Sequence, residues 1–142
     1  MAKIDIIVLP VLKDNYAYIL HNNETGECAI IDPSVWDEVI AYCDQRSWKL
    51  NYIVNTHHHW DHVGGNLGLK EKYGARVYGA DADKHRIPGI DQTVTPGKDF
   101  DLLGVRWQVI DTPGHTIGHV AFYIPELKAL FCGDTLFGLG VG

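Results

Sequence analysis

The sequence predicts an α/β fold, a mixed β-sheet with helices on its outer face. Strand-like apolar runs recur along the whole chain, and helical patterns interrupt them at only two places. A dense run of imidazoles and a carboxylate, Thr56-His57-His58-His59-Trp60-Asp61-His62, directly follows one of those strands. The 142 residues suit a single domain, 1–142, and a chain near this size buries about 68–70% of its unfolded surface, enough for a real core.

The elements follow in order. Residues 4–9 and 16–21 read as strands separated by the turn signal Lys13-Asp14-Asn15. Residues 22–26 make a second turn, and 28–32 read as a buried strand. Ser34 can cap a helix, with Asp37 three residues on in a capping-box pattern. Val35, Trp36, Val39, Ile40 and Cys43 give that helix its apolar face. A strand over 50–56, a helix over 63–73 ending at Gly74, and a short strand over 75–79 come next. Residues 80–98, rich in Asp, Pro and Gly, read as a loop. A hairpin over 99–103 and 105–111 turns at Gly104, and strands over 119–124 and 127–133 close the pattern. No repeat, low-complexity tract or linker breaks the chain.

Composition narrows the function classes. The apolar fraction is 46%, the charged fraction 21% and the net charge −6, with no Lys or Arg run, so nucleic acid is not an expected partner. No stretch approaches the roughly 18 apolar residues of a membrane span. No apolar signal region follows the N-terminus, so the expected location is the cytoplasm. Cys28, Cys43 and Cys132 are far apart and form no C-x-x-C pair. They read as reduced, buried thiols rather than catalytic ones.

The chemistry lies at strand ends. Side chains alternate along extended backbone, so His57, His59 and Asp61 can face one way while His58 and Trp60 face the other. His62 falls where the chain turns into the next helix and can look back. A cloning tag or surface His run would lack the interposed Asp and Trp and the apolar strand upstream. Two later segments share the layout. Residues 107–111 lead into Thr112-Pro113-Gly114-His115-Thr116, and 130–132 lead into Gly133-Asp134-Thr135. If the three ends converge, His57, His59 and His115 would surround one metal. Asp61 and His62 would face a second, and Asp134 could bridge both. Two divalent ions about 3.5–4 Å apart suit hydrolysis. His119 reads as structural, Asp32 as a candidate hydrogen-bond support for the metal loop, and His21 and His85 as surface residues.

The motif His57-x-His59-x-Asp61-His62, with Gly114-His115 and Gly133-Asp134, resembles the metallo-β-lactamase superfamily. Finer matches are Asp14-Asn15-Tyr16, Thr112-Pro113-Gly114-His115-Thr116 with Gly118-His119, and Gly133-Asp134-Thr135-Leu136-Phe137. These are similar to glyoxalase II, the hydroxyacylglutathione hydrolases. The resemblance implies an αββα sandwich of which this chain matches the N-terminal half. It also implies two divalent metal ions, zinc first with iron or manganese as alternatives. The implied ligands are His57, His59 and His115 for one metal, Asp61 and His62 for the other, and Asp134 between them. The implied reaction is hydrolysis of a small glutathione thioester, S-(2-hydroxyacyl)glutathione, by a hydroxide held on the metals, with Asp61 orienting it as a catalytic residue. Alternatives are an iron-dependent glutathione persulfide dioxygenase and a metal-binding fragment without turnover.

The chain departs from the family at Gly140-Val141-Gly142, where Gly-Cys-Gly is usual, and it ends in loop-like sequence. The family's second half, with a further histidine and the glutathione-gripping residues, is expected to be missing. Much of the second sheet is expected to be missing with it. A half-sandwich would expose an apolar face and favour a homodimer through that face.

Overall fold

The run Cys28-Ala29-Ile30-Ile31 is apolar at every position, and all four of its residues are buried. Strand side chains alternate between faces, so this strand must be covered on both sides. The structure, a computed structural model, describes all residues except 1–3, 12–14, 34–35, 57–64, 88, 112–119, 133–134 and 139–142. It supplies both covers.

The first sheet contains β1 (Ile4–Val11), β2 (Asn15–Asn22), β3 (Cys28–Ile31), β4 (Tyr52–Val54), β5 (Arg76–Ala80) and β6 (Gln92–Val94), in that spatial order. It is mixed: β1, β2 and β3 are antiparallel neighbours, and β3 to β6 run parallel. The second sheet is antiparallel, in the order β11 (Thr135–Gly138), β10 (Ala129–Cys132), β9 (Val120–Ile124), β8 (Val105–Asp111), β7 (Phe100–Leu102). The helices α1 (Asp37–Gln45) and α2 (Asn66–Tyr73) cover the outer face of the first sheet.

Two cores result. Ala17, Ile19, Cys28, Ile30, Ile53 and Val77 pack with Val39 and Cys43 of α1 and Leu69 of α2. On the other face, Tyr18, Leu20, Ala29, Ile31 and Val54 pack with Val105, Trp107, Val109, Phe122, Ile124 and Phe131 of the second sheet. Trp107 and Phe122 meet edge to face at 6.0 Å between centroids, and Phe100 stacks on both Tyr78 and Trp107.

Several expectations need correction. The second sheet is not largely missing: five strands of this chain form it. It packs on the inner face of the first sheet. The first helix starts at Asp37, with Trp36 at its N-cap position and no side-chain cap bond there, and the expected cap Ser34 lies outside the described residues. Asp37 and Glu38 in the first turn supply the negative charge that its N-terminus favours. Strand β4 is shorter than 50–56, and at its far end Thr56 gives its N–H to the Asp32 carboxylate rather than to a neighbouring strand. Strand β3 stops at Ile31 because Asp32 turns into left-handed backbone at φ 55. Within 80–98 lie a 3-10 turn at Asp81–Arg86 and strand β6. His21 is half-buried and stacks on Trp48, with ring centroids 4.0 Å apart. Other expectations hold. Gly74 ends α2 in left-handed backbone, and Leu103 and Gly104, at φ 59 and 77, turn the β7–β8 hairpin. No described helix is long and apolar enough to cross a membrane.

Gly68 of α2 accommodates Trp36. A Cβ there would lie 2.5 Å from Cγ and 2.8 Å from Cβ of the tryptophan. Alanine gains about 1 kcal/mol over glycine in a helix interior, and forcing a methyl into an occupied space costs about 1–3 kcal/mol. Packing should win. Gly68→Ala is expected to lower stability in urea unfolding by about 1 kcal/mol, and a gain would show that Trp36 swings aside freely.

Candidate metal centre

Strand β4 delivers the chain to Thr56, a fully buried residue. Its backbone N–H donates to Asp32 Oδ1 at 2.8 Å and its hydroxyl to Asp32 Oδ2 at 2.7 Å. Asp32 is also fully buried. Its left-handed backbone, which aspartate tolerates better than most residues, belongs to the bend that ends β3. The expectation that Asp32 supports the metal loop by hydrogen bonds matches this geometry at Thr56. A signal for Thr56 itself was its position between an apolar strand and the first histidine, and sequence reasoning passed over it.

A further bond joins the two sheets here. The N–H of Val120, the first residue of β9, donates to the carbonyl of Thr56 at 2.9 Å. Val120 pairs with Asp111, the last residue of β8. The pairs Ala129↔Ile124, Leu130↔Tyr123 and Phe131↔Phe122 bring the end of β10 toward the start of β9. Cys132 pairs with Thr135, leaving residues 133 and 134 between the two strands. Thr56, Asp111, Val120 and Cys132 thus stand at one end of the sandwich.

The candidate residues His57, His59, Asp61, His62, His115 and Asp134 lie outside the described residues, as do His58 and His119. Each predicted ligand segment leaves from that same end: 57–62 after Thr56, 112–119 between Asp111 and Val120, and 133–134 between Cys132 and Thr135. The described residues themselves form no cluster of three His, Cys, Asp or Glu able to hold a metal. The donor chemistry of the six candidates, imidazole nitrogen and carboxylate oxygen, suits a divalent cation of the zinc, iron or manganese kind.

The described thiols are not nucleophiles. Burial, first, and the neighbouring Cys43 push the Cys28 thiol up to about 12. Burial and Asp44 push Cys43 up to about 11, against a smaller opposing effect of Arg46. Both are free cysteines and stay protonated at neutral pH. Folding therefore gains nothing from their ionisation. The stability that they contribute is complete below the ordinary thiol pKa and declines as pH rises above it.

The chain belongs to the metallo-β-lactamase superfamily, which residues 12–142 match. It is 51% identical over 139 residues to a hydroxyacylglutathione hydrolase of Methylococcus capsulatus, covering 98% of this chain and 54% of that protein. The chain thus spans about half the length of the curated relatives it matches. Its fold is similar to the crystal structure of BLEG-1 B3 metallo-β-lactamase, with a TM-score of 0.81 and 25% identity, covering 94% of this chain and 73% of that one. It is also similar to TTHA1623, solved in a di-iron-bound form, with a TM-score of 0.71 and 30% identity over 97% of this chain and 75% of that one.

Removing the Asp32 carboxyl group leaves the buried N–H and O–H of Thr56 without that acceptor. An orphaned buried donor costs about 1–3 kcal/mol. Asp32→Ala is expected to lose about 2–5 kcal/mol in urea unfolding. A loss below about 1 kcal/mol would mean that the carboxyl does not hold Thr56 in place.

Proposed function

We propose that this chain carries the metal-binding part of a thioester hydrolase that converts S-(2-hydroxyacyl)glutathione to glutathione and a 2-hydroxy acid. The observation that supports it is the strand register, which sends the three candidate ligand segments out from one end of the sandwich. The hydroxyacylglutathione hydrolases at 43–51% identity support the substrate class. The di-iron form of a structural neighbour supports a two-metal centre.

His57, His59 and His115 would hold one divalent ion and Asp61 and His62 a second, with Asp134 between them. Zinc is the first expectation, and iron or manganese suits the same donors. Two such ions supply Lewis acidity, which lowers the pKa of a bound water and takes up charge on a carbonyl oxygen. Asp61 would accept a hydrogen bond from the attacking water and orient it toward the thioester carbon. Addition would form the new C–O bond as the water gives up a proton to solvent, and the C–S bond would break with its electron pair leaving on sulfur. A thiolate leaves without strong acid assistance, so no general acid is assigned. The buried free thiols Cys28 and Cys43 fit a reducing compartment, here the cytoplasm.

The test is hydrolysis of S-D-lactoylglutathione by the zinc-loaded chain, with Asp61→Ala beside it. Metal-dependent turnover is expected, falling by about 10²-fold or more in kcat/KM in the variant, the usual scale for losing a positioned acid–base group. No turnover by folded, metal-loaded chain would overturn the assignment of catalysis to these residues alone.

A further inference from the structure

Asn55 and Asn66 are both fully buried polar residues. They stand on either side of the candidate ligand loop: Asn55 just before Thr56, and Asn66 at the first position of α2. Their amides bond reciprocally. Asn66 Nδ2 donates to Asn55 Oδ1 at 2.7 Å, and Asn55 Nδ2 donates to Asn66 Oδ1 at 3.4 Å. Asn55 is itself tied to the sheet, its N–H donating to the carbonyl of Tyr78 at 2.9 Å.

A second pair of bonds lies inside the first. Thr56 is held by Asp32, and the N–H of Gly65 donates to the carbonyl of Pro33 at 2.8 Å. Adjacent residues on the shoulder of β3 therefore fasten both ends of the segment. Closing a loop costs chain entropy, and a segment already closed needs less ordering when a ligand binds. An apolar pair would bury as well, but it has no direction. Two buried amides lose their hydrogen bonds when displaced, so they fix spacing and orientation.

We infer that Asn55 and Asn66 are positioning residues, an amide clamp that sets the span of loop 57–62 and so the placement of the histidines and aspartate it carries. This rests on the proposed metal-binding reading of that loop. The clamp acts on metal affinity and coordination, and its effect is separable from fold stability.

The test compares Asn66→Ala, Asn55→Ala and the double Asn55→Ala/Asn66→Ala variant with Leu69→Ala, which damages the apolar packing of the same helix one turn further on and leaves both amides in place. Zinc dissociation constants are measured by chelator competition, cobalt(II) spectra report coordination, and unfolding without metal reports stability. The clamp variants are expected to bind zinc about 10-fold or more weakly, the scale seen when groups supporting metal ligands are removed. Their cobalt spectra should change. Leu69→Ala should keep the native spectrum and an affinity near that of the unaltered chain, although its unfolding midpoint falls. If a single variant leaves an unpaired amide and does not fold, the double variant, which leaves neither amide facing the other's empty place, carries the comparison. Clamp variants that bind zinc like the unaltered chain, or a Leu69→Ala loss just as large, would overturn the inference alone. An unaltered chain that takes up no metal would overturn the proposed function and this inference with it.

Discussion

Thr56 is tied to both halves of the sandwich at once. Asp32, where β3 ends in the first sheet, accepts from its backbone N–H and its hydroxyl. Val120, where β9 begins in the second sheet, donates to its carbonyl. All three residues are buried, so none of these bonds is exchanged for water without cost. The histidine-rich segment begins at the next residue. Its starting point is thereby fixed relative to Val120, the first described residue after the segment that carries His115.

The rest of the fold keeps that junction rigid. β2 and β3 are buried on both faces, against helices on one side and the second sheet on the other. Aromatic side chains from both sheets interlock across the inner core, where Phe100 meets Tyr78, Trp107 and Phe122. The loop that leads into β6 is tied to α2 separately. Lys70 Nζ donates to the Gly89 carbonyl at 2.8 Å and to Asp91 Oδ1 at 2.7 Å, and the other Asp91 oxygen accepts from Val77 N–H. Partial burial pushes the Asp91 carboxyl up, but Lys70 and the Val77 N–H outweigh it and hold the group below its ordinary range. A reacting group gains most from a scaffold that does not have to rearrange as it acts.

Local chemistry was legible in the sequence, and long-range partnership was not. Alternation and apolar runs located β1 to β3, α2 and the β7–β8 hairpin, because each depends on residues close in sequence. The strand β6, Gln92-Thr93-Val94, is too short to show a period and exists because β5 offers a parallel edge. β11 was hidden because it pairs with β10 across only two residues. Much of the second sheet was expected to be missing with the family's second half, and nothing in the spacing of the later strands says that they pair with one another and cover the first sheet. The candidate ligands stood out because imidazoles and carboxylates at that spacing are rare outside metal sites. Asn55 and Asn66 did not stand out, since a buried amide pair looks like two ordinary polar residues until its partner is known.

The central claim is that one end of this sandwich gathers a divalent-metal site from three strand ends. Anomalous diffraction at the zinc edge, from crystals of the zinc-loaded chain, tests it most directly. The account predicts a strong peak beside Thr56 and Val120, with the imidazole nitrogens of His57, His59 and His115 about 2.0–2.1 Å from it. A peak bound by other residues, or zinc held only at the protein surface, would contradict the account.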